Sequence, residues 1–174
     1  GVTPSSVTLA GTGGRLDLAP ASAAQGITLE TGASASVVLA APVRLISAQT
    51  WTVTDAAGML TLSGALSGGA SVTQAGLGRV TLSGVAAPEF NPAGNASYTV
   101  SAGALIQTHP WALGRVEDKN LMRVVVQTGG AYYYSEAATQ TIALPLELAG
   151  GTLSVNQASQ VYSCLLYTSD AADE

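Results

Sequence analysis

Charged and aromatic side chains are scarce in this 174-residue chain, where they make up 10% and 5% of the residues. An average soluble protein is about 25% charged. So little charge excludes disorder driven by charge repulsion. Lys119 is the single lysine among only six basic residues, so an electrostatic nucleic-acid surface is excluded as well. No nucleic-acid partner is therefore expected.

Long uninterrupted apolar runs are also missing, although 47% of the residues are hydrophobic. A membrane-spanning helix needs about 18 or more consecutive apolar residues. Gly, Ser and Thr interrupt every run well before that length. The sequence therefore predicts a soluble or surface-exposed protein.

The last residues, 164–174, differ from the preceding sequence in composition and rhythm. They read CLLYTSDAADE and contain the only cysteine, Cys164, and three of the eleven acidic residues. The segment resembles a translated sequencing adapter, which would make it an artefact outside the native protein. On this interpretation the native chain has no cysteine and a net charge of about -2 instead of -5. Since Gly1 is not a methionine, residues 1–163 are expected to be part of a longer chain.

Short runs of Val, Leu, Ile and Thr, separated by Gly, Asn or Asp, follow one another along the chain. Within a run, apolar and polar residues alternate with the two-residue period of a half-buried strand. Helical periodicity is nearly absent, and Trp111–Leu121, which contains Gly114, is predicted as an irregular insertion. The fold is therefore expected to be all-β. The predicted strands include Gly26–Glu30, Ser36–Leu39, Val43–Ile46, Trp51–Thr54, Met59–Ser63, Arg79–Ser83, Ser97–Ser101 and Thr152–Val155.

One motif recurs at a fixed interval. GMLTLSG at Gly58–Gly64 returns as GRVTLSG at Gly78–Gly84, a spacing of 20 residues, and weaker copies occur elsewhere. A fixed period in this range is the signature of a solenoid. The repeat predicts a right-handed parallel β-helix with about 20 residues per coil. A β-sandwich would also contain many short strands, but it gives no reason for the repeated motif.

Stacked coils predict which residues share the core. Leu60 and Leu62 of the first motif should lie against Val80 and Leu82 of the second, one strand spacing of about 4.8 Å away. Such a core is narrow, and large aromatic rings are not expected to fit inside it. The scarcity of aromatic residues is interpreted as a consequence of this narrow core.

The stretch Gly68–Gly114 resembles the autotransporter-associated β-strand repeat, also called the passenger-associated transport repeat. With its lead-in the repeat core covers residues 49–114. The sequence departs from the repeat at Gln74, Val80 and residues 87–94, which affects the outward loop rather than the coil. The matching residues are Val72, Thr73, Gly76, Gly78, Thr81, Leu82, Ser83, Gly84, Ala102, Gly103, Leu105, Ala112, Leu113 and Gly114.

The resemblance implies a bacterial type V secreted or cell-surface protein that is attached to the outer membrane. In that family such repeats form the β-helical passenger or stalk, which assists folding and secretion and presents adhesive regions. The implied partners are neighbouring coils of the same chain, a host surface or glycan, and a translocator barrel in the outer membrane encoded downstream. The absence of native cysteine fits secretion through an oxidising periplasm.

Residues that could carry catalysis are few. His109, the only histidine, is interpreted as an exposed loop residue, since no nucleophile signature accompanies it. No metal or cofactor motif occurs, and the chain is expected to be no enzyme. A polysaccharide lyase-like β-helix remains an alternative, and it would need Asp55, Glu89 and Glu117 to converge in one cleft.

Three consecutive tyrosines, 132–134, form the densest aromatic cluster. On a strand, Tyr132 and Tyr134 share one face, and together with Trp111 they could form an exposed platform for a sugar ring or a partner protein. The competing interpretation is that these rings cover a groove or a flank of the solenoid. An adhesin or glycan-binding module is therefore the first functional alternative, ahead of the lyase-like enzyme.

Overall fold

The computed structural model describes residues 6–10, 13–30, 36–92, 96–114, 121–135, 141–142, 144–155, 161–162 and 166–168. Within these ranges the chain forms nineteen β-strands and no helix. No described segment is a helix long and apolar enough to span a bilayer. The strands are β1 (Ser6–Leu9), β2 (Leu16–Leu18), β3 (Thr28–Leu29), β4 (Ser36–Leu39), β5 (Val43–Leu45), β6 (Gln49–Val53), β7 (Met59–Leu62), β8 (Leu66–Gly68), β9 (Val72–Ala75), β10 (Arg79–Leu82), β11 (Ser97–Val100), β12 (Gly103–Gln107), β13 (Arg123–Gln127), β14 (Gly130–Tyr134), β15 (Thr141–Ile142), β16 (Leu146–Ala149), β17 (Thr152–Val155), β18 (Val161–Tyr162) and β19 (Leu166–Thr168).

The strands stack into parallel sheets that run along a solenoid. Sheet A has the order β1-β4-β7-β10-β12-β14-β17, and sheet C has the order β3-β6-β9-β11-β13-β16-β19. Sheet B contains β2-β5-β8, and sheet D contains β15 and β18. Each circuit of the chain thus contributes one strand to sheet A and one to sheet C. The predicted all-β fold and parallel β-helix are confirmed, and all eight predicted strands overlap strands of the structure.

The length of one circuit varies along the chain. In sheet A, Met59 is paired with Arg79, Arg79 with Ala104, and Ala104 with Ala131, so each of these circuits is longer than the one before it. The average is roughly 24 residues per turn. The coil length predicted from the motif spacing therefore fits the circuit between the two motifs and is too short for the solenoid as a whole.

The repeated motif forms the stacked strands β7 and β10. Leu60 lies opposite Val80 and Leu62 lies opposite Leu82, as predicted. All four side chains are fully buried. Burying a side chain of this size stabilises the folded state by roughly 1.5–3 kcal/mol. Identical positions in successive coils thus build one continuous aliphatic column.

Glycines of the motif allow the backbones of neighbouring coils to approach closely. A Cβ atom on Gly84 would collide with the backbone oxygen of Gly64 in the coil below. Gly76 ends β9 with a φ of 85°, a left-handed conformation that favours glycine. These positions explain why glycine is part of the repeat.

Large rings do lie inside the coil, and the expectation that they would not fit was wrong. Trp51, Tyr98, Phe90, Tyr132 and Tyr134 are all buried. The longer circuits enclose a wider core, because more residues surround each layer. Among the residues whose burial the structure describes, most aromatic side chains are thus core residues.

The third side of the solenoid is less regular than sheets A and C. After sheet B, the loop between β10 and β11 replaces a strand and contacts the solenoid through a bridge from Phe90 to Gly68. In the next circuit a turn at 109–113 follows β12, and residues 115–120 of the predicted insertion lie outside the described residues.

Strand β19 belongs to the segment 164–174 and pairs with β16. The adapter interpretation of that segment stays a prediction.

Candidate functional site

Two of the three tyrosines predicted to form a surface platform are core residues. Tyr132 is 1% exposed and Tyr134 is 0% exposed, whereas Tyr133 between them is 40% exposed. The prediction of a platform from Tyr132 and Tyr134 was therefore wrong. In a run of three identical residues, the strand period shows that the outer two share a face but not which face points inward. Trp111 is 39% exposed and lies on the turn after β12.

The Tyr132 hydroxyl group connects the core to that turn. It donates a hydrogen bond to Gln107 Oε1 at 3.0 Å. Gln107 is fully buried, and its Nε2 donates to the carbonyl oxygens of His109 at 2.8 Å and Pro110 at 3.1 Å. Burying a phenol or an amide is costly unless it is hydrogen-bonded. Tyr132 thus has a structural role inside the coil.

His109 makes only local contacts among the described residues. Its Nδ1 accepts a hydrogen bond from the backbone N–H of Trp111 at 3.2 Å. The two rings meet edge to face with centroids 5.7 Å apart. These contacts shape the turn and support the interpretation of His109 as a loop residue.

The acidic residues of the lyase-like alternative lie on different segments. Asp55 is in the turn between β6 and β7, and Glu89 precedes Phe90 in the loop between β10 and β11. Glu117 lies outside the described residues. Within the described part of the chain, no group of three or more His, Cys, Asp or Glu could hold a metal ion.

The remaining motif residues have structural roles in the packing of the coils. Leu105 is fully buried opposite Val80, and the Ser83 hydroxyl donates to the Leu62 carbonyl oxygen one coil below at 3.3 Å. Thr81 is partly buried on the outer face of sheet A. Gly103 and Gly114 have φ values of 72° and 110°, and a Cβ atom on Gly78 would collide with Val53.

The outer face of sheet A holds a shallow cavity of about 300 Å³ over strands β10, β12 and β14. It is lined by Arg79, Ala104, Ile106 and Tyr133. Ala104 lies opposite Arg79, and Ile106 lies opposite Tyr133. The small Ala104 side chain leaves a depression between the longer side chains. Sequence reasoning missed this group because its members come from three coils of unequal length.

Arg79 differs from Arg15 and Arg123 in its surroundings. Arg15 Nε and Asp17 Oδ1 lie 2.7 Å apart, and this hydrogen bond lowers the pKa of the exposed Asp17 carboxyl. Arg123 reaches Glu147 on the next coil, with Nη1 and Oε2 3.3 Å apart. No ion pair joins Arg79 to a carboxylate among the residues that the structure describes. Its guanidinium is exposed beside the cavity.

A larger groove of about 630 Å³ lies at the corner between sheets B and C. Residues 45–48 and 68–71 form most of its lining, together with Glu89, Asn91 and Ala96. Glycine, alanine and serine dominate that lining, with one carboxylate and no aromatic ring. The smaller cavity on sheet A combines a cation with an exposed ring and is the better candidate for specific recognition.

Comparison of this chain with protein-family models, with curated proteins and with solved structures found no match. The assignment of its function therefore rests on the fold, the repeat and the geometry of the surface.

Proposed function

We propose that this chain is a structural segment of a β-helical passenger or stalk in a bacterial type V secreted or cell-surface protein. In this role it assists folding and secretion of the passenger and holds adhesive regions away from the outer membrane. The segment itself has no catalytic role in this proposal.

The observation that carries the proposal is the stacking of the repeated motif. GMLTLSG and GRVTLSG form β7 and β10, which pair in register over their whole length, from Met59–Arg79 to Leu62–Leu82. The motif glycines permit this close stacking, and its leucines fill the column beneath it. The motif is thus an element that builds a rod from repeated units, as a stalk requires.

The fold also suits secretion of an extended chain. Each coil contacts mainly the coils before and after it, so coils can form one at a time at the end of a growing stack. Folding outside the cell could then draw the remaining chain outward without a nucleotide-driven motor. Arg123 and Glu147, which join adjacent coils by an ion pair, illustrate this contact between neighbours.

A secretion assay tests the proposal. The chain is fused in frame to the translocator domain of an autotransporter, with an epitope at its N-terminal end, and antibody labelling of intact cells measures surface display. We expect display of the unaltered chain. The Gly84→Val variant should be displayed less, because its side chain collides with the backbone of the coil below and prevents stacking.

The matched control is Gly14→Val, since a Cβ atom there meets nothing within 4 Å. Retention of the unaltered chain inside the cell would contradict the proposal, as would equal display of all three chains. Sequencing the DNA around the coding region gives an independent check. Further GxxTLSG-type repeats and a translocator are expected there, and a flanking catalytic domain instead would argue against a stalk.

A further inference from the structure

Outward side chains of sheet A form a patch with one charge. Successive coils place Met59, Arg79, Ala104 and Ala131 in one outward row, and Thr61, Thr81, Ile106 and Tyr133 in the next. Of these residues only Arg79 is charged. Below and above them the outer face continues with Ser, Val and Thr. The patch is therefore a weakly polar surface with a single cation and a single exposed ring.

Tyr133 offers the flat apolar face that a pyranose ring can stack on. Its side chain is 40% exposed, while its two neighbours in the strand are fixed in the core by burial. A ring anchored in a strand loses little conformational freedom when a ligand binds. Ile106, directly opposite in the adjacent coil, extends the apolar surface next to the ring.

Arg79 lies at the other end of the same cavity. Two strand spacings and two residues separate it from Tyr133, which corresponds to about 12 Å between Cα atoms. Both side chains border the same cavity, and the small Ala104 between them leaves room for a sugar ring. A guanidinium group binds carboxylates through two parallel hydrogen bonds.

We infer that this cavity is a binding site for an acidic glycan, in which a uronate ring stacks on Tyr133 and a uronate carboxylate pairs with Arg79. This inference goes beyond the proposed stalk function and does not depend on it. Solenoid faces present a row of equivalent positions, so a linear polysaccharide can lie along the coils while one or two of its rings occupy this cavity.

Calorimetric titration of the full chain with an alginate tetrasaccharide, which carries a carboxylate on every ring, tests the inference. Cellotetraose is the neutral probe of equal length. We expect alginate to bind with a dissociation constant of about 1 mM at low salt. Binding should weaken as ionic strength rises, and cellotetraose should bind at least about tenfold more weakly.

Variants at two positions, Arg79 and Tyr133, locate the site. Arg79→Gln should weaken alginate binding about tenfold and leave the weak cellotetraose binding unchanged. Tyr133→Ala should weaken the binding of both probes about fivefold, whereas Tyr133→Phe should retain it. Both residues are exposed, so circular dichroism should show an unaltered fold. Arg44→Gln, on the outer face of sheet B opposite Asp17, is the matched charge control.

Several outcomes would overturn the inference. They are absence of alginate binding, equal affinity for the neutral and acidic probes, and an equal loss in Arg44→Gln and Arg79→Gln. Self-association that Tyr133→Ala abolishes, without alginate binding, would assign this face to a second copy of the chain and would also overturn it.

Discussion

Residues 36–84 and residues 97–134 build the same solenoid in two ways. In the first region, short circuits between neighbouring strands of sheet A enclose an aliphatic column, with Trp51 as the one aromatic ring of the core, and sheet B covers the third side. In the second, longer circuits enclose several large rings, and loops replace the third strand. Along one column of sheet A the buried residue grows from Val80 to Leu105 to Tyr132 as the circuit lengthens.

The difference teaches that, from β10 to β14, larger core residues accompany longer circuits while the parallel pairing within sheets A and C stays continuous. A buried ring with a polar tip needs a hydrogen-bond partner, and in three cases a buried glutamine supplies the acceptor. Tyr98 donates to Gln74 Oε1 at 3.1 Å, and Tyr132 donates to Gln107 Oε1 at 3.0 Å. Trp51, which meets Tyr98 edge to face at 5.9 Å, donates to Gln49 Oε1 at 2.9 Å.

The largest loss of stability is expected from removing a buried aromatic ring from the core of a longer circuit. Tyr132→Ala removes a fully buried ring and leaves Gln107 Oε1 without this donor, which should lower the free energy of unfolding by about 4 kcal/mol. Tyr133→Ala, at the exposed neighbouring position, should change it by less than about 0.5 kcal/mol. Urea denaturation measures both. Equal effects would show that the tyrosine strand is not oriented as described.

Introducing phenylalanine at paired core positions of a short and a longer circuit compares directly how much extra volume each core accepts. Val80→Phe should overfill the short circuit between the two motifs and lower the free energy of unfolding by about 3 kcal/mol. Leu105→Phe, at the paired position in the longer circuit, should lower it by about 1 kcal/mol. Thermal and urea denaturation give the comparison. A larger loss at Leu105 than at Val80 would refute the link between circuit length and core volume.

A smaller effect is expected from the hydrogen bond between Tyr98 and Gln74. Tyr98→Phe should cost about 1–2 kcal/mol, because it leaves Gln74 Oε1 buried without this donor, next to an Nε2 that has no hydrogen-bond partner among the described residues. Adding Gln74→Leu should recover part of that loss, since it removes the orphaned amide. Strictly additive losses in the double variant would show that the pair does not interact.

Alkaline pH should weaken the wide region, because burial raises the pKa of Tyr98 well above its ordinary value. Above about pH 10 the unfolded chain loses this proton while the folded chain keeps it. The contribution of Tyr98 is therefore intact below about pH 10 and declines above it by about 1.4 kcal/mol per pH unit. Urea denaturation at several alkaline pH values should show a smaller decline for Tyr98→Phe, and identical slopes would contradict this account.

Much of the fold could be predicted from the sequence, because the narrow region contains two nearly identical copies of one motif. The spacing between those copies correctly paired Leu60 with Val80 and Leu62 with Leu82. The same spacing could not pair Tyr98 with Gln74 or Tyr132 with Gln107, which lie 24 and 25 residues apart. The pattern showed that the tyrosines alternate but not which face is inward. The cavity at Arg79 and Tyr133 depends both on the lengths of the circuits and on which face of the tyrosine strand points inward. It was therefore not found from the sequence.

The irregular third side has a consequence for how such a rod can be modified. Between β10 and β11, and again between β12 and β13, a loop stands in place of a third strand, while β9 pairs with β11 and β11 pairs with β13 in continuous parallel register. Peptides grafted into these two loops would change what the surface of the rod displays, while the length and stiffness of the rod stay the same. The strands of sheets A and C thus hold the coils together, whereas the loops of the third side can change in sequence without altering that stack.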